Sequence, residues 1–124
     1  MADPKYNLED RLLEFAVRVI HVTESMKTNR AGLHVADQLL GSGTSPYGHH
    51  GEAESAESRA DFVHKLRICA KELREARRWL RLVARAQLVA KPQLLAAILT
   101  ESDELIRIFA ASIRTAQNNK KGTK

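Results

Sequence analysis

Between Ser58 and Arg85, apolar or small residues recur in alternating steps of four and three positions. They are Phe62, Leu66, Cys69, Leu73, Ala76, Leu80 and Val83. A mean spacing of three and a half residues is typical of a helix that packs through one apolar seam, whereas a half-buried strand alternates every second residue. The pattern therefore predicts one long amphipathic helix that buries its seam against other parts of the protein.

A cationic stripe runs one position further along the same predicted helix. Its members are Arg67, Lys71, Arg74, Arg78, Arg81 and Arg85, with Arg77 next to them. Arginine binds phosphate through paired hydrogen bonds, and a row of such side chains one helical turn apart can follow the backbone of a nucleic acid. These seven residues form the predicted nucleic-acid site. Two alternatives remain open: pairing with acidic residues of helices one and two, in this chain or a neighbouring subunit, and pairing with an acidic protein.

Charge is distributed unevenly along the chain. The formal net charge of the 124 residues is +5. Residues 1–57 carry five Lys or Arg against nine Asp or Glu, and residues 58–124 carry fifteen against six. Such asymmetry indicates an anionic partner for the basic part, or contact between acidic and basic parts of neighbouring subunits. The alternative is that helix surfaces carry charge for solubility.

Composition favours a single all-helical domain over residues 1–124. Proline and glycine are scarce, with three and six residues, and four of the glycines fall between Gly41 and Gly51. Cys69 is the sole cysteine, so no internal disulfide can form and a cytoplasmic setting is expected. The first residues contain no apolar run of the kind that a secretory signal needs, and no stretch approaches the roughly 20 apolar residues of a membrane span.

Apolar spacing and turn residues predict four helices, over residues 8–26, 30–56, 58–86 and 92–117. Ser58 is a good N-cap for the third helix, with Asp61 at the capping-box position, and Thr28 or Asn29 can cap the second. Short connections favour antiparallel neighbours, so the predicted fold is an all-α, up-down-up-down four-helix bundle. The fourth helix is apolar over most of its circumference, which indicates that another subunit covers one side of it.

The segment from Gly41 to Gly48 interrupts the pattern of the second helix. It contains three glycines, three serine or threonine residues and Pro46, a composition typical of loops. Ser45 precedes the proline and is biased away from helical backbone angles. The alternative is a helix that continues with a kink near residues 43–48, because proline is tolerated in the first turn of a helical segment.

No constellation of catalytic or metal-binding residues emerges from the sequence. His49 and His50 are followed by two glutamates, but adjacent side chains on a regular element point in different directions, and zinc-binding motifs are missing. Cys69 lies on the apolar seam, where burial raises the pKa of a thiol and makes it unreactive. We therefore expect no catalytic residue, no metal and no cofactor, and we predict that the protein is not an enzyme.

Three further residues lie among the arginines of helix three. Glu72 and Glu75 are predicted to pair with arginines of their own helix, each pair contributing roughly 0.2–0.5 kcal/mol. Trp79 can stack on a nucleobase. Because a large ring beside Leu80 and Val83 is more often a packing residue, we favour packing as the role of Trp79.

Several strings of the sequence together resemble a known family. They are Gln38-Leu39-Leu40-Gly41-Ser42-Gly43-Thr44-Ser45-Pro46, Glu52-Ala53, Ser58-Arg59-Ala60-Asp61-Phe62-x-x-Lys65-Leu66-x-Ile68 and Lys71-Glu72-Leu73-Arg74-Glu75-x-x-x-Trp79-Leu80-x-Leu82. From about Leu8 to Ile113, the chain resembles the bacterial four-helix bundle proteins that include products of intervening sequences in large-subunit ribosomal RNA genes. It is also similar to the accessory variability protein of diversity-generating retroelements.

This resemblance implies an antiparallel bundle that assembles as a homopentamer around a central channel. In the retroelement relatives it implies a basic surface that binds RNA and the reverse transcriptase, so RNA becomes the expected partner of the cationic stripe. Most members of the family have no established function and no known catalytic residue. The family usually has an asparagine before the Glu-Ala pair, whereas Tyr47 to Gly51 fills that space here without one. The resemblance also favours the kinked helix over the loop for residues 41–57.

Overall fold

The computed structural model describes the backbone of residues 4–122 and the side chains of residues 8–119. Four helices follow one another: α1 (Pro4–Glu24), α2 (Arg30–Glu54), α3 (Arg59–Arg85) and α4 (Gln93–Gly122). The prediction of an all-α fold with four helices is confirmed. Within the described residues, no helix combines the length and apolarity that crossing a membrane needs. Residues 1–3 and 123–124 lie outside the described part of the chain.

The outer ends of α1 and α4 extend beyond the predicted boundaries. α1 begins at Pro4, because the fixed φ of proline and its missing N–H suit the first position of a helix. α4 continues to Gly122, since residues 118–121 contain neither glycine nor proline to end it. Periodicity did not reveal either extension, because these terminal turns carry no apolar pattern.

The helices pack in a ring, each against two others. α1 contacts α2 and α4, and α3 contacts α2 and α4; the contact between α1 and α4 is the smallest. Over the described residues the diagonal pairs do not approach within 8 Å between Cα atoms. The predicted seam of α3 lies in the core, with Phe62 partly buried and the other six residues buried. The largest fully buried side chains include Leu12, Phe15, Leu39, Leu73, Leu80, Ile98, Leu105 and Phe109.

Side-chain caps fix the starts of α2 and α3. The Asn29 side chain accepts a hydrogen bond of 2.8 Å from the N–H of Gly32, so Asn29 is the cap of α2. Ser58 caps α3, as predicted, by accepting a bond of 3.0 Å from the N–H of Asp61. The Asp61 carboxylate in turn accepts from the N–H of Glu57 at 3.4 Å, one residue before the position that a capping box uses.

α2 runs without interruption through residues 41–48, so the loop interpretation of this segment is wrong. The hydroxyls of Ser42, Thr44 and Ser45 each donate to the carbonyl four residues earlier, at 3.1, 2.7 and 2.6 Å. These bonds give each of the three hydroxyls a partner within α2. Pro46 is fully buried, and its packing outweighs its low helix propensity. A kink near residues 43–48 stays a prediction.

A glycine of α2 permits close approach to α1. A Cβ at Gly43 would lie 2.6 Å from Cγ2 of Val19, which is closer than two carbon atoms can pack. At Gly41 a Cβ would have nothing within 4 Å. Two glycines in the same segment therefore differ, because only Gly43 is needed for the packing of two helices.

The connection between α1 and α2 is hydrogen-bonded to the connection between α3 and α4. The N–H of Lys27 donates to the Leu88 carbonyl at 2.8 Å, and Met26 and Val89 form an isolated antiparallel bridge. Both connections therefore lie at the same end of the bundle. Helices joined by such short connections return alongside each other, as an antiparallel bundle requires.

Candidate nucleic-acid interface

The six residues of the cationic stripe form an exposed row on α3. Every side chain of the set is exposed: Arg67, Lys71, Arg74, Arg78, Arg81 and Arg85. At 3.6 residues per turn they fall within an arc of about 80° and extend about 27 Å along the helix. The seam on the far side of α3 is buried against α2 and α4. One helix therefore presents a core face and a cationic face, as the sequence predicts.

The described side chains, residues 8–119, supply no counter-ion to this stripe. None of its residues belongs to an ion pair within 4.0 Å in this part of the chain. Glu72 instead lies 2.8 Å from Nδ1 of His49 on α2, measured from Oε1. Glu75 accepts a hydrogen bond of 3.2 Å from Nε1 of Trp79. The predicted pairing of both glutamates with arginines of α3 is therefore wrong, because each carboxylate is held by another side chain.

Arg77 lies apart from the stripe and faces α4. Its Nε is 3.8 Å from Oδ1 of Asp103, and its side chain is 38% exposed. Asp103 also accepts a bond of 2.7 Å from Arg107 on the next turn of α4. The structure thus brings six of the seven predicted site residues onto one face and places the seventh at the α3–α4 boundary, where a carboxylate offsets its charge.

Trp79 faces α2 and not the cationic stripe. Its ring meets the ring of His34 edge-on, with centroids 6.4 Å apart and an interplanar angle of 83°. The side chain is partly buried and packs against the core. Stacking on a base bound along the stripe would require the ring to leave this contact, so the geometry favours the packing role.

The residues considered for metal or catalytic chemistry are engaged in packing. His49 bonds across to α3, whereas His50 is buried and meets the ring of Phe109 edge-on, with centroids 6.1 Å apart. Burial raises the pKa of Cys69 to about 12, and its thiol donates a weak bond of 3.7 Å to the Pro46 carbonyl. No group of three or more His, Cys, Asp or Glu side chains could hold a metal ion within the described part of the chain.

The profile of the 23S rRNA-intervening sequence protein family matches residues 6–111. The chain belongs to this family. The match includes the whole of the cationic stripe, all of α2 and α3, and most of α1 and α4. The family resemblance seen in the sequence strings is thereby confirmed.

The fold of this family member is similar to a solved structure from Bacteroides thetaiotaomicron VPI-5482, a protein with unknown function from the S23 ribosomal protein family. The two sequences are 34% identical and the TM-score is 0.78. The similarity covers 86% of this chain and 97% of that chain. No curated protein matches the chain.

In this intervening sequence protein, further cations lie at the end of the bundle that α3 reaches with Arg85. Lys27 and Arg30 flank the start of α2, and Lys91 precedes α4; all three are exposed. Residues 24–30 and 81–93 together contain five Lys or Arg and one Asp or Glu. Sequence reasoning missed this cluster, because two segments about 60 positions apart become neighbours only through the bond between their connections.

Proposed function

We propose that the chain is a non-enzymatic, homo-oligomeric helical bundle that binds RNA through the cationic stripe of α3. The observation that supports this proposal is the row of six exposed cations without a counter-ion among the described residues. Like charges three or four positions apart each destabilise a helix by roughly 0.2–0.5 kcal/mol. The stripe contains five such neighbouring pairs, so it costs about 1–2.5 kcal/mol unless an anion lies against it.

RNA is the preferred anion because the resemblance to the retroelement relatives implies an RNA-binding basic surface; the family description itself names 23S rRNA only as the location of an intervening sequence. A row of guanidinium and ammonium groups contacts phosphates, which all sequences share. Binding is therefore expected to be strongly salt-dependent and weakly sequence-specific. We place this activity in the cytoplasm, since the single buried cysteine offers no role for an oxidising compartment.

An apolar face on α1 and α2 supports the proposed self-association. Five large apolar side chains are exposed there: Leu13, Ile20, Leu33, Leu40 and Tyr47. The residues on each helix are seven positions apart, which is the spacing of helices that pack against other helices. A second copy of the chain on this face would leave the cationic stripe free, and the family resemblance suggests five copies.

Both apolar rows border the groove between α1 and α2. The side of α1 that carries Arg11 faces α4, because Arg11 bonds Glu101 there. Leu13 and Ile20 lie on the opposite side of α1, next to α2. On α2, the side that carries His49 faces α3, and the side that carries Gly43 faces α1. The two rows therefore form one surface, and it lies away from the α3 stripe.

Titration of a labelled structured RNA tests the proposed RNA site. The triple variant Arg74→Ala, Arg78→Ala, Arg81→Ala is expected to bind at least tenfold more weakly at about 50 mM salt, with a shallower dependence on salt concentration. Alanine is the strongest helix former, so α3 is expected to stay folded. Arg18→Ala is the matched control for Arg78→Ala. Each variant removes one positive charge, but Arg18 lies on α1, diagonal to α3 and away from the stripe.

Light scattering on the same variants distinguishes RNA binding from a scaffold role. If the triple variant binds RNA as the wild type does but loses its assembly, the stripe is a contact between subunits and the RNA proposal is wrong. We expect the opposite: unchanged mass for the triple variant, and a lower mass for Leu40→Glu on the apolar face. An acidic protein partner is the remaining alternative, and it predicts that RNA affinity does not depend on the stripe.

A further inference from the structure

Two adjoining concavities lie where α3 meets its connection to α4. The first, of about 750 Å³, is lined by Arg78, Arg81, Leu82, Ala84, Arg85 and Leu99. The second, of about 530 Å³, has apolar walls that include Ala84, Leu95, Ala96 and Leu99, and two polar residues, Lys27 and Gln87. Ala84 and Leu99 belong to both concavities. The end of the cationic stripe therefore passes directly into an apolar hollow.

The hollow exists because two connections of the bundle are joined. The N–H of Lys27 bonds the carbonyl of Leu88 at 2.8 Å, and Met26 pairs with Val89. This contact carries the Lys27 side chain to a site otherwise built from α3, α4 and their connection. A cation from the first part of the chain is thus added to the three arginines of the second part.

Gln87 adopts a backbone conformation that favours glycine. Its φ is 56°, in the left-handed region, and it is the one non-glycine residue with positive φ in the described chain. The N–H groups of Gln87 and Leu88 donate to the carbonyls of Ala84 and Val83, at 3.3 and 3.0 Å, which is how a Schellman motif ends a helix. Glutamine is disfavoured at this backbone angle, yet its side chain lines the hollow. This combination suggests that the Gln87 side chain has a role in binding.

We infer that the hollow binds one unpaired nucleobase of the RNA whose phosphates lie on Arg78, Arg81 and Arg85. This inference rests on the proposed function. The apolar walls fit the face of a base, and the amide of Gln87 offers both a donor and an acceptor to its polar edge. The volume is within the range of small-ligand sites.

The occupant follows from the charge at the rim and the apolar wall behind it. A duplex keeps its bases stacked inside, so it can reach the arginines but cannot fill the hollow. Sequence-specific contacts of proteins with RNA mostly use bases of loops, bulges and ends, which can be turned out of the stack. We therefore assign the hollow to a base of a looped or single-stranded RNA, and the rest of the stripe to further phosphates of the same RNA.

Two substitutions test the hollow without removing a charge. Ala96→Leu fills it from α4, and its control Ala97→Leu places the same side chain on the next exposed position, which does not line the hollow. Gln87→Gly removes the amide while relieving the left-handed backbone, so its melting temperature is expected to equal or exceed that of the wild type. The probes are a labelled hairpin with an unpaired loop and a blunt duplex with the sequence of its stem.

We expect Ala96→Leu and Gln87→Gly to bind the looped hairpin about tenfold more weakly, and both to bind the blunt duplex as the wild type does. Ala97→Leu is expected to match the wild type on both probes. Undiminished binding of the hairpin by Ala96→Leu, or an equal loss on both probes, would overturn the nucleobase site. The arginine triple variant is expected to lose affinity for both probes, whereas the two hollow variants lose it for the hairpin alone. Failure of the nucleobase site can therefore be told apart from failure of the RNA proposal on which it rests.

A short acidic peptide that contains leucine tests the alternative that the hollow binds a protein segment and not a nucleobase. If it competes with the hairpin for wild type but not for Ala96→Leu, while the hairpin binds both equally, the hollow is a peptide site and the nucleobase assignment is wrong. Competition that is equal for Ala96→Leu and Ala97→Leu supports the assignment, because the peptide then meets only the arginines.

Discussion

The backbone nitrogen of Lys27 lies 2.8 Å from the carbonyl oxygen of Leu88, and this hydrogen bond joins two connections that are far apart in the sequence. It fixes the end of the bundle at which the stripe of α3 terminates. The cations of the α1–α2 connection thereby lie beside Arg85. The proposed interface is therefore longer than one helix, and it depends on contact between two loops.

The Lys27 amide is expected to exchange slowly with solvent although it lies in a connection. Its N–H is engaged with Leu88, whereas no backbone bond is formed by the N–H of Thr28 among the described residues. Hydrogen exchange followed by NMR compares these two neighbours directly. Equally fast exchange at both amides would show that the connections separate in solution.

Gly43→Ala is expected to destabilise the protein by about 1–3 kcal/mol, because its Cβ would meet the side chain of Val19. Gly41→Ala is the matched control. Its Cβ would point into open space, so alanine is expected to stabilise α2 by up to about 1 kcal/mol. Chemical denaturation of both variants measures the difference, and the same sign for both would contradict the close approach of α1 and α2.

The smallest helix contact, between α1 and α4, contains a paired hydrogen bond. Nε and Nη2 of Arg11 donate to the two carboxylate oxygens of Glu101 at 2.9 and 2.7 Å, and Nη2 also donates to Glu104 at 3.0 Å. These bonds, Glu101 first, raise the pKa of Arg11 above its ordinary value, so it stays charged. A double-mutant cycle of Arg11→Ala and Glu101→Ala is expected to give a coupling of about 1 kcal/mol.

The ion pair of Arg107 with Asp103 is the control for this cycle. It lies within α4, and the Arg107 side chain is 75% exposed. Its coupling is expected to be only about 0.3 kcal/mol, because the arginine keeps most of its hydration and the pair lies within one helix. Equal couplings for the two cycles would show that the Arg11 bonds do not hold α1 to α4.

Cys69 makes folding stability fall as the pH rises above 9. Burial raises the pKa of its thiol from 9.0 to about 12. Between these values the unfolded chain has released the proton while the folded chain retains it, so the contribution is present below pH 9 and lost as the pH approaches 12. Denaturation at a series of pH values is expected to show a shallower decline for Cys69→Ala than for the wild type.

Thiol labelling provides a second measurement on the same residue. A thiol reagent at pH 8 is expected to modify Cys69 only as fast as the protein unfolds, since the side chain is fully buried. Labelling that is complete before the helical signal is lost would contradict the burial of Cys69.

The stripe itself could be predicted, because exposure and spacing on one helix are local properties. Six cations that follow the seam residues by one or two positions lie about 150° around the helix from that seam, whatever packs against it. Which of the cations on α3 have a carboxylate partner could not be predicted in the same way. Glu72 and Glu75 have the right spacing to pair with arginines, yet His49 and Trp79 hold them, and Asp103 of α4 takes Arg77.

The sequence by itself determined the four helices, the buried seam of α3 and the exposed cationic stripe, since each follows from periodicity within one segment. The tertiary structure decided the rest. Residues 41–48 are helical because the packing of Gly43 and Pro46 in the core outweighs their low local helix propensity. The hollow beside Arg85 forms because residues distant in sequence meet there, and no pattern within either segment records that contact.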